Sequence, residues 1–189
     1  MNIYLCGVGG QGIGLLSTVL ARACLAAGYP VRGCDTHGLA QRHGSVSSHL
    51  RLGGDAFTPL VSPGRAHLVV ALERLEALRA AKRMLAPGGT LVYYDTVYQP
   101  IHVRMGQATY PTPEDLAAAV ATRRAHLERV FCDDLPDSRM QNVALLGRLS
   151  GLGIIPNVTP QLFERALDDV VPERARKANR AVYRQVAAG

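Results

Sequence analysis

A chain of 189 residues that is 48% hydrophobic and 19% charged has apolar surface enough to bury a core without disulfide staples, and one domain over residues 1–189 is expected. No stretch reaches the roughly 18 consecutive apolar residues of a membrane span, and the first residues lack the regions of a secretory signal, so the expected place is cytoplasmic and no membrane is involved. The net charge of +6 rests on scattered arginines, with Lys82 and Lys177 the sole lysines, while aromatics make up 5% and Trp is absent; with so few stacking platforms, nucleic acid is not an expected partner.

The apolar run Ile3-Tyr4-Leu5-Cys6 reads as a strand and gives way to Gly7-Val8-Gly9-Gly10-Gln11-Gly12-Ile13-Gly14. Gly7, Gly9 and Gly12 satisfy the G-x-G-x-x-G spacing, and from Ile13 the residues Leu16, Val19, Leu20, Ala23 and Ala27 fall at helical intervals until Gly28 and Pro30 stop them. Two readings stand open. Backbone amides of Gly7 to Gly12, with Gly10 and Gln11 between, can cradle an anion at the helix start, or the glycines make a tight packing turn.

Val31 to Cys34 reads as a second strand ending at Asp35, 23 positions beyond Gly12, near where a dinucleotide fold places an acid for a ribose hydroxyl. Instead of a helix there follows a polar segment, Thr36 to Ser45. Then comes an alternating strand with Val46, Ser48, Leu50 and Leu52 on one face and Ser45, Ser47, His49 and Arg51 on the other, closed by Gly53-Gly54-Asp55. Its polar face predicts an antiparallel or edge position.

Ala66 to Leu72 reads as a buried strand and Glu73 to Leu85 as a helix with Leu75, Leu78 and Leu85 inward; Pro87-Gly88-Gly89 then leads to a strand from Thr90 to Tyr94. A short strand is expected within Val103 to Tyr110, a helix from Pro113 through Ala121, and a strand at Val130 to Cys132. Three helices close the chain at Ser138 to Ser150, Pro160 to Val170 and Pro172 to Ala187, the last with Arg176, Arg180 and Arg184 as a solvated basic row. The predicted fold class is α/β: a three-layer α/β/α, Rossmann-like arrangement with a mostly parallel sheet and an antiparallel or edge strand.

Chemistry is expected in the segment His37 to Ser45, which follows a strand end. Arg42 is suited to clamp a carboxylate or phosphate, Gln41 and Ser45 to orient it, and His37 or His43 to transfer a proton; a positioning or interface role for His37, Gln41, Arg42 and Ser45 is preferred over direct catalysis. No nucleophile elbow, zinc-helix motif or P-loop lysine is present, so no catalytic residue is assigned. Cys6, Cys24, Cys34 and Cys132 have no C-x-x-C spacing, which predicts buried free thiols and no metal site in this chain.

The same residues carry a family resemblance. Gly7-Val8-Gly9-Gly10-Gln11-Gly12-Ile13 resembles the G-x-G-G-Q-G opening of the gamma-type domain of 2-oxoacid:ferredoxin oxidoreductases. His37-Gly38-Leu39-Ala40-Gln41-Arg42-His43-Gly44-Ser45-Val46 resembles the H-G-[M/L]-[A/S]-Q-R-G-G-S-V element of the indolepyruvate type, with His43 in place of the first glycine of its pair. The resemblance covers essentially the whole chain, including the Asn142 helix and Asn179 to Tyr183. It implies a subunit without catalytic residues of its own, supporting coenzyme A-dependent oxidative decarboxylation of a 2-oxoacid, indolepyruvate or an aryl pyruvate, with ferredoxin as electron acceptor. Thiamine diphosphate and iron–sulfur clusters would belong to a larger partner subunit, and this chain alone would bind no cofactor. Two rival readings remain, a free-standing NAD- or flavin-binding oxidoreductase and a pure assembly subunit.

Overall fold

A computed structural model describes residues 1–37, 44–54 and 57–189, with His37, Ile101 and His102 described by their backbone alone. The elements run β1 (Asn2–Val8), α1 (Ile13–Ala26), β2 (Val31–His37), β3 (Ser45–Leu52), β4 (Ala66–Ala71), α2 (Arg74–Arg83), β5 (Leu85–Tyr94), α3 (Ile101–Arg104), α4 (Pro113–Ala121), β6 (His126–Val130), a 3-10 turn (Ser138–Met140), α5 (Gln141–Gly151), α6 (Pro160–Val170) and α7 (Glu173–Ala188).

Among the described residues the strands form one six-stranded sheet in the order β2-β3-β1-β4-β5-β6. β1, β4, β5 and β6 are mutually parallel, whereas β3 pairs antiparallel with both β1 and β2. The period of two along each strand divides the core between two faces. Ile3, Leu5, Leu68, Val70 and Val92 meet the face covered by α1, α5, α6 and α7; Cys6, Val69, Leu91 and Tyr93 meet the face covered by α2 and α4. The three layers and the mostly parallel sheet are those expected, and β3 is antiparallel as expected. It is not an edge: β2 and β6 are, and β3 separates β2 from β1.

Four local expectations change. The inward face of α2 is Ala77, Ala80 and Ala81 with Glu76, while Leu75 and Leu78 are half-buried and Leu85 opens β5; small residues let this helix lie close on the sheet. The expected strand at 103–110 is absent. Pro100 accepts from the amides of Val103 and Arg104 to start α3, and Gly106, at φ 71°, follows it. The last strand is His126–Val130 instead of Val130–Cys132, so Phe131 stands 55% exposed beyond it. The thiols divide evenly, Cys6 and Cys24 buried, Cys34 and Cys132 half-buried.

The helix starts follow local chemistry. Thr112 and Asp115 form a reciprocal capping box with Pro113 in the first turn of α4, and Thr159 with Pro160 repeats the cap on α6. Arg180 binds Asp168 and Arg184 binds Glu164, so two members of the expected solvated row tie α7 to α6.

Candidate functional site at the C-terminal edge of the sheet

Open α/β sheets bind ligands at the carboxyl ends of their strands, where the chain passes to opposite faces. Here that point lies between β1, which leads to α1, and β4, which leads to α2. Gln11 fills it. The Val8 N–H donates to Gln11 Oε1 at 2.8 Å and Gln11 Nε2 donates to the Leu72 carbonyl at 2.7 Å, so one side chain, 8% exposed, joins the ends of both strands. A Cβ on Gly7 would lie 3.0 Å from Gln11 Oε1 and 3.1 Å from Leu72 Cβ, so the glycine makes room for this bridge.

Gly12 is the N-cap of α1 at φ 82°, a left-handed conformation in which glycine carries no Cβ penalty. A Cβ there would approach Asn142 Nδ2 to 2.3 Å; that amide donates to the Gly12 carbonyl at 3.4 Å. Gly10 is exposed, and with Gly12, Leu15, Asn142 and Arg174 it borders a cleft of about 400 Å³ between α1 and α7.

Asp35 does not reach this place. With β3 inserted, β2 stands two strand spacings from β1, about 10 Å instead of about 5 Å. Its carboxylate accepts from Ser48 Oγ at 2.5 Å, across the β2–β3 ladder. Gly7, Gly9, Gly12 and Asp35 thus keep the sequence spacing of a dinucleotide fingerprint without its strand order.

The second motif joins the first at its closing end. The Gly9 N–H donates to the Gly44 carbonyl at 2.8 Å, and Val8 pairs with Ser45. The backbone of His37 pairs with Val46 at the same sheet edge, while Gln41, Arg42 and His43 lie outside the described residues. Ser45 Oγ donates to Glu76 Oε2 at 2.6 Å, and Arg79 pairs with Glu76 Oε1 at 2.5 Å. Beside them Glu73, 1% exposed, caps α2 by accepting from the Glu76 amide at 2.8 Å and accepts from the Tyr98 amide at 3.4 Å. Burial raises the Glu73 carboxyl above the ordinary carboxylate range, and the neighbouring Glu76 carboxylate adds to the rise against the lowering effect of those amides. Ser45, Glu73, Glu76, Arg79, Tyr98 and Arg104 line a cleft of about 550 Å³ on the α2 side.

Sequence reasoning missed Glu73 and Glu76 as members of this edge. The one available signal is their spacing, acid at the N-cap and acid three residues on, at a strand-to-helix junction. A neighbouring hub is structural: Asp95 at the end of β5 accepts from Arg74 and Arg129, each at 2.6 Å, tying α2 and β6 to the sheet.

The cysteines do not suit an iron–sulfur cluster. Cys6 and Cys24 belong to the packed interiors of β1 and α1, burial pushes the Cys24 thiol up to about 12 and the Cys6 thiol well above its ordinary value, and among the described residues no group of three His, Cys, Asp or Glu converges as a metal site. Among the described residues Gln11 fills the crevice between the ends of β1 and β4.

A family model described as "Pyruvate ferredoxin/flavodoxin oxidoreductase" matches residues 2–188. The chain is similar to "Indolepyruvate oxidoreductase subunit IorB" of Thermococcus kodakarensis, 40% identical over 119 residues, 63% of this chain; it spans 58% of the length of that relative. It is 36% identical to the protein of the same name from Archaeoglobus fulgidus over 161 residues, 82% of this chain and 79% of that one. A solved structure with the same fold, at TM-score 0.67 and 18% identity, is the 2-oxoglutarate:ferredoxin oxidoreductase of Magnetococcus marinus with 2-oxoglutarate, coenzyme A and succinyl-CoA bound; the match covers 100% of this chain and 30% of that one.

Proposed function

The chain belongs to the pyruvate ferredoxin/flavodoxin oxidoreductase family, and from that premise we propose that it is the small, non-thiamine-binding subunit of an indolepyruvate-type 2-oxoacid:ferredoxin oxidoreductase. Its residues 1–189 form a single gamma-type domain that works in the cytoplasm, with neither nucleic acid nor membrane as a partner. A larger subunit supplies thiamine diphosphate, the iron–sulfur clusters and the passage of electrons to ferredoxin, and coenzyme A enters as co-substrate. None of the described helices is long and apolar enough to cross a membrane.

The observation that carries the reading is the Gln11 bridge. It occupies the crevice a free-standing dinucleotide enzyme would use, while β3 holds Asp35 away from the glycine loop. Two clefts lie beside the bridge, on the edge from which the His37 to Ser45 element departs. In the proposed complex Gly10, Gly12 and Arg42 hold an anionic group of coenzyme A or substrate, and the His37, Gln41 and Ser45 element completes the wall of a site built on the partner. The small subunit then binds, orients and excludes water; the bond-making chemistry is the partner's.

Arg42→Ala in the reconstituted complex tests the clamp. The Michaelis constant for coenzyme A or for the 2-oxoacid should rise at least tenfold, the loss of one charge-assisted contact being worth about 1.5 to 3 kcal/mol. Unchanged constants for both would remove the clamp, and a failure of the variant to assemble would favour the pure assembly reading.

A further inference from the structure

We propose that Glu76 is a positioning residue: its buried carboxylate, held by Arg79, latches Ser45 and with it the closing end of the His37 to Ser45 element onto α2, setting that element for its partner. The two sequence motifs and a residue outside both are joined in one chain of contacts. Gly9 fastens Gly44 through the backbone at 2.8 Å, and the next residue, Ser45, is fastened through its hydroxyl to Glu76 at 2.6 Å. Glu76 is 6% exposed and projects from the first turn of α2, a helix fixed to the sheet by Arg74 and Asp95. The latch therefore leads from the element to the rigid part of the fold.

The energetics favour a specific role over a surface ion pair. A carboxylate taken out of water must have its oxygens satisfied, and Glu76 has one donor on each: Arg79 on Oε1 and Ser45 on Oε2. Ser45 is exposed and pairs with Val8 at the last rung of the β1–β3 ladder, so no further rung of that ladder holds β3 beyond it. Past this point the second motif is anchored, among the described residues, by the Gly9–Gly44 bond and by the β2–β3 ladder. Ser45 was expected to orient a ligand; the structure engages its hydroxyl with α2, so its effect on any ligand or partner passes through Glu76.

The link to assembly rests on the subunit reading above, so the test has an arm for each. Hydrogen exchange on the full isolated chain should show faster exchange at the start of β3 in Ser45→Ala and in Glu76→Ala than in the unaltered protein, with the rest of the sheet unchanged. Titration of each variant into a purified thiamine-containing large subunit of an indolepyruvate:ferredoxin oxidoreductase should show at least tenfold weaker association for either variant and no further loss in the double variant. Glu76→Gln, which keeps an acceptor for Ser45, should recover most of the affinity. Glu128→Ala, which breaks the Glu128–Arg148 pair between β6 and α5, should associate normally. Additive losses, an equal loss in Glu128→Ala, or unaltered exchange and association would overturn the latch. If Glu76→Ala does not fold, Ser45→Ala decides alone. If the unaltered chain forms no complex with the large subunit, the subunit reading falls and the proposal falls with it, even where the exchange arm finds the Ser45–Glu76 bond.

Discussion

At the scale of single residues, Gln11 shows how a polar side chain can take the place that a ligand would otherwise hold. Its two amide ends satisfy a donor on β1 and an acceptor just beyond β4. Gln11→Ala would leave both backbone groups buried without partners, and chemical denaturation should show a loss of about 2 to 4 kcal/mol; a loss below about 0.5 kcal/mol, the scatter of ordinary surface changes, would mean water replaces the side chain. Glu73 gives a pH signature. Its folded pKa is raised, so the native state takes up a proton more readily than the unfolded chain; its contribution is fully present below the unfolded carboxylate value and is lost as pH rises through the raised folded value. Glu73→Gln should therefore flatten the stability profile across that window, and a profile as steep as the parent's would assign the slope to other groups. The glycine spacing was legible in sequence, but the bridge was not, because the Leu72 carbonyl that accepts from Gln11 comes from a distant part of the chain and its pairing exists only once β1 and β4 are adjacent.

At the scale of elements, the long buried strands and capped helices could be read directly, since Ile3–Cys6, Ala66–Leu72, Pro113–Ala121 and Pro160–Val170 carry both their periodicity and their end signals in the chain itself. The misreadings occur where local pattern and tertiary partner disagree. The strand expected within Val103 to Tyr110 is absent because Pro100 starts a helical turn that takes in Val103 and Arg104, and Gly106 follows it at φ 71°. At β6 the apolar Val130-Phe131-Cys132 looks like the strand, but the residues that pair with β5 are the more polar His126 to Val130, as an open edge permits. The α5–α7 contact is another feature set by approach: a Cβ on Gly147 would lie 2.5 Å from the Tyr183 carbonyl, and one on Gly151 2.5 Å from that of Ala187. Gly147→Ala should cost about 1 to 3 kcal/mol by overpacking, despite the better helix propensity of alanine. A raised melting temperature in that variant would mean that the helices separate freely.

At the scale of the molecule, one inverted strand changes what the glycine motif can do. Pairing β3 between β1 and β2 keeps a doubly wound sheet with five of its six strands in one direction, but removes the acid from reach of the first crossover and leaves Gln11 to close it. The fold class was accessible from the order of elements and the alternation at Val46 to Leu52. The strand order was not, because an alternating polar face suits an edge as well as an interior antiparallel position. The two motifs meet at the carboxyl edge. The central claim, that this edge serves a site supplied by a larger subunit, is tested most directly by mixing the purified chain with a purified thiamine-containing large subunit and following 2-oxoacid- and coenzyme A-dependent reduction of ferredoxin. Activity should be absent from either component alone and should rise to a plateau at equimolar addition; full activity of the large subunit without this chain would contradict it.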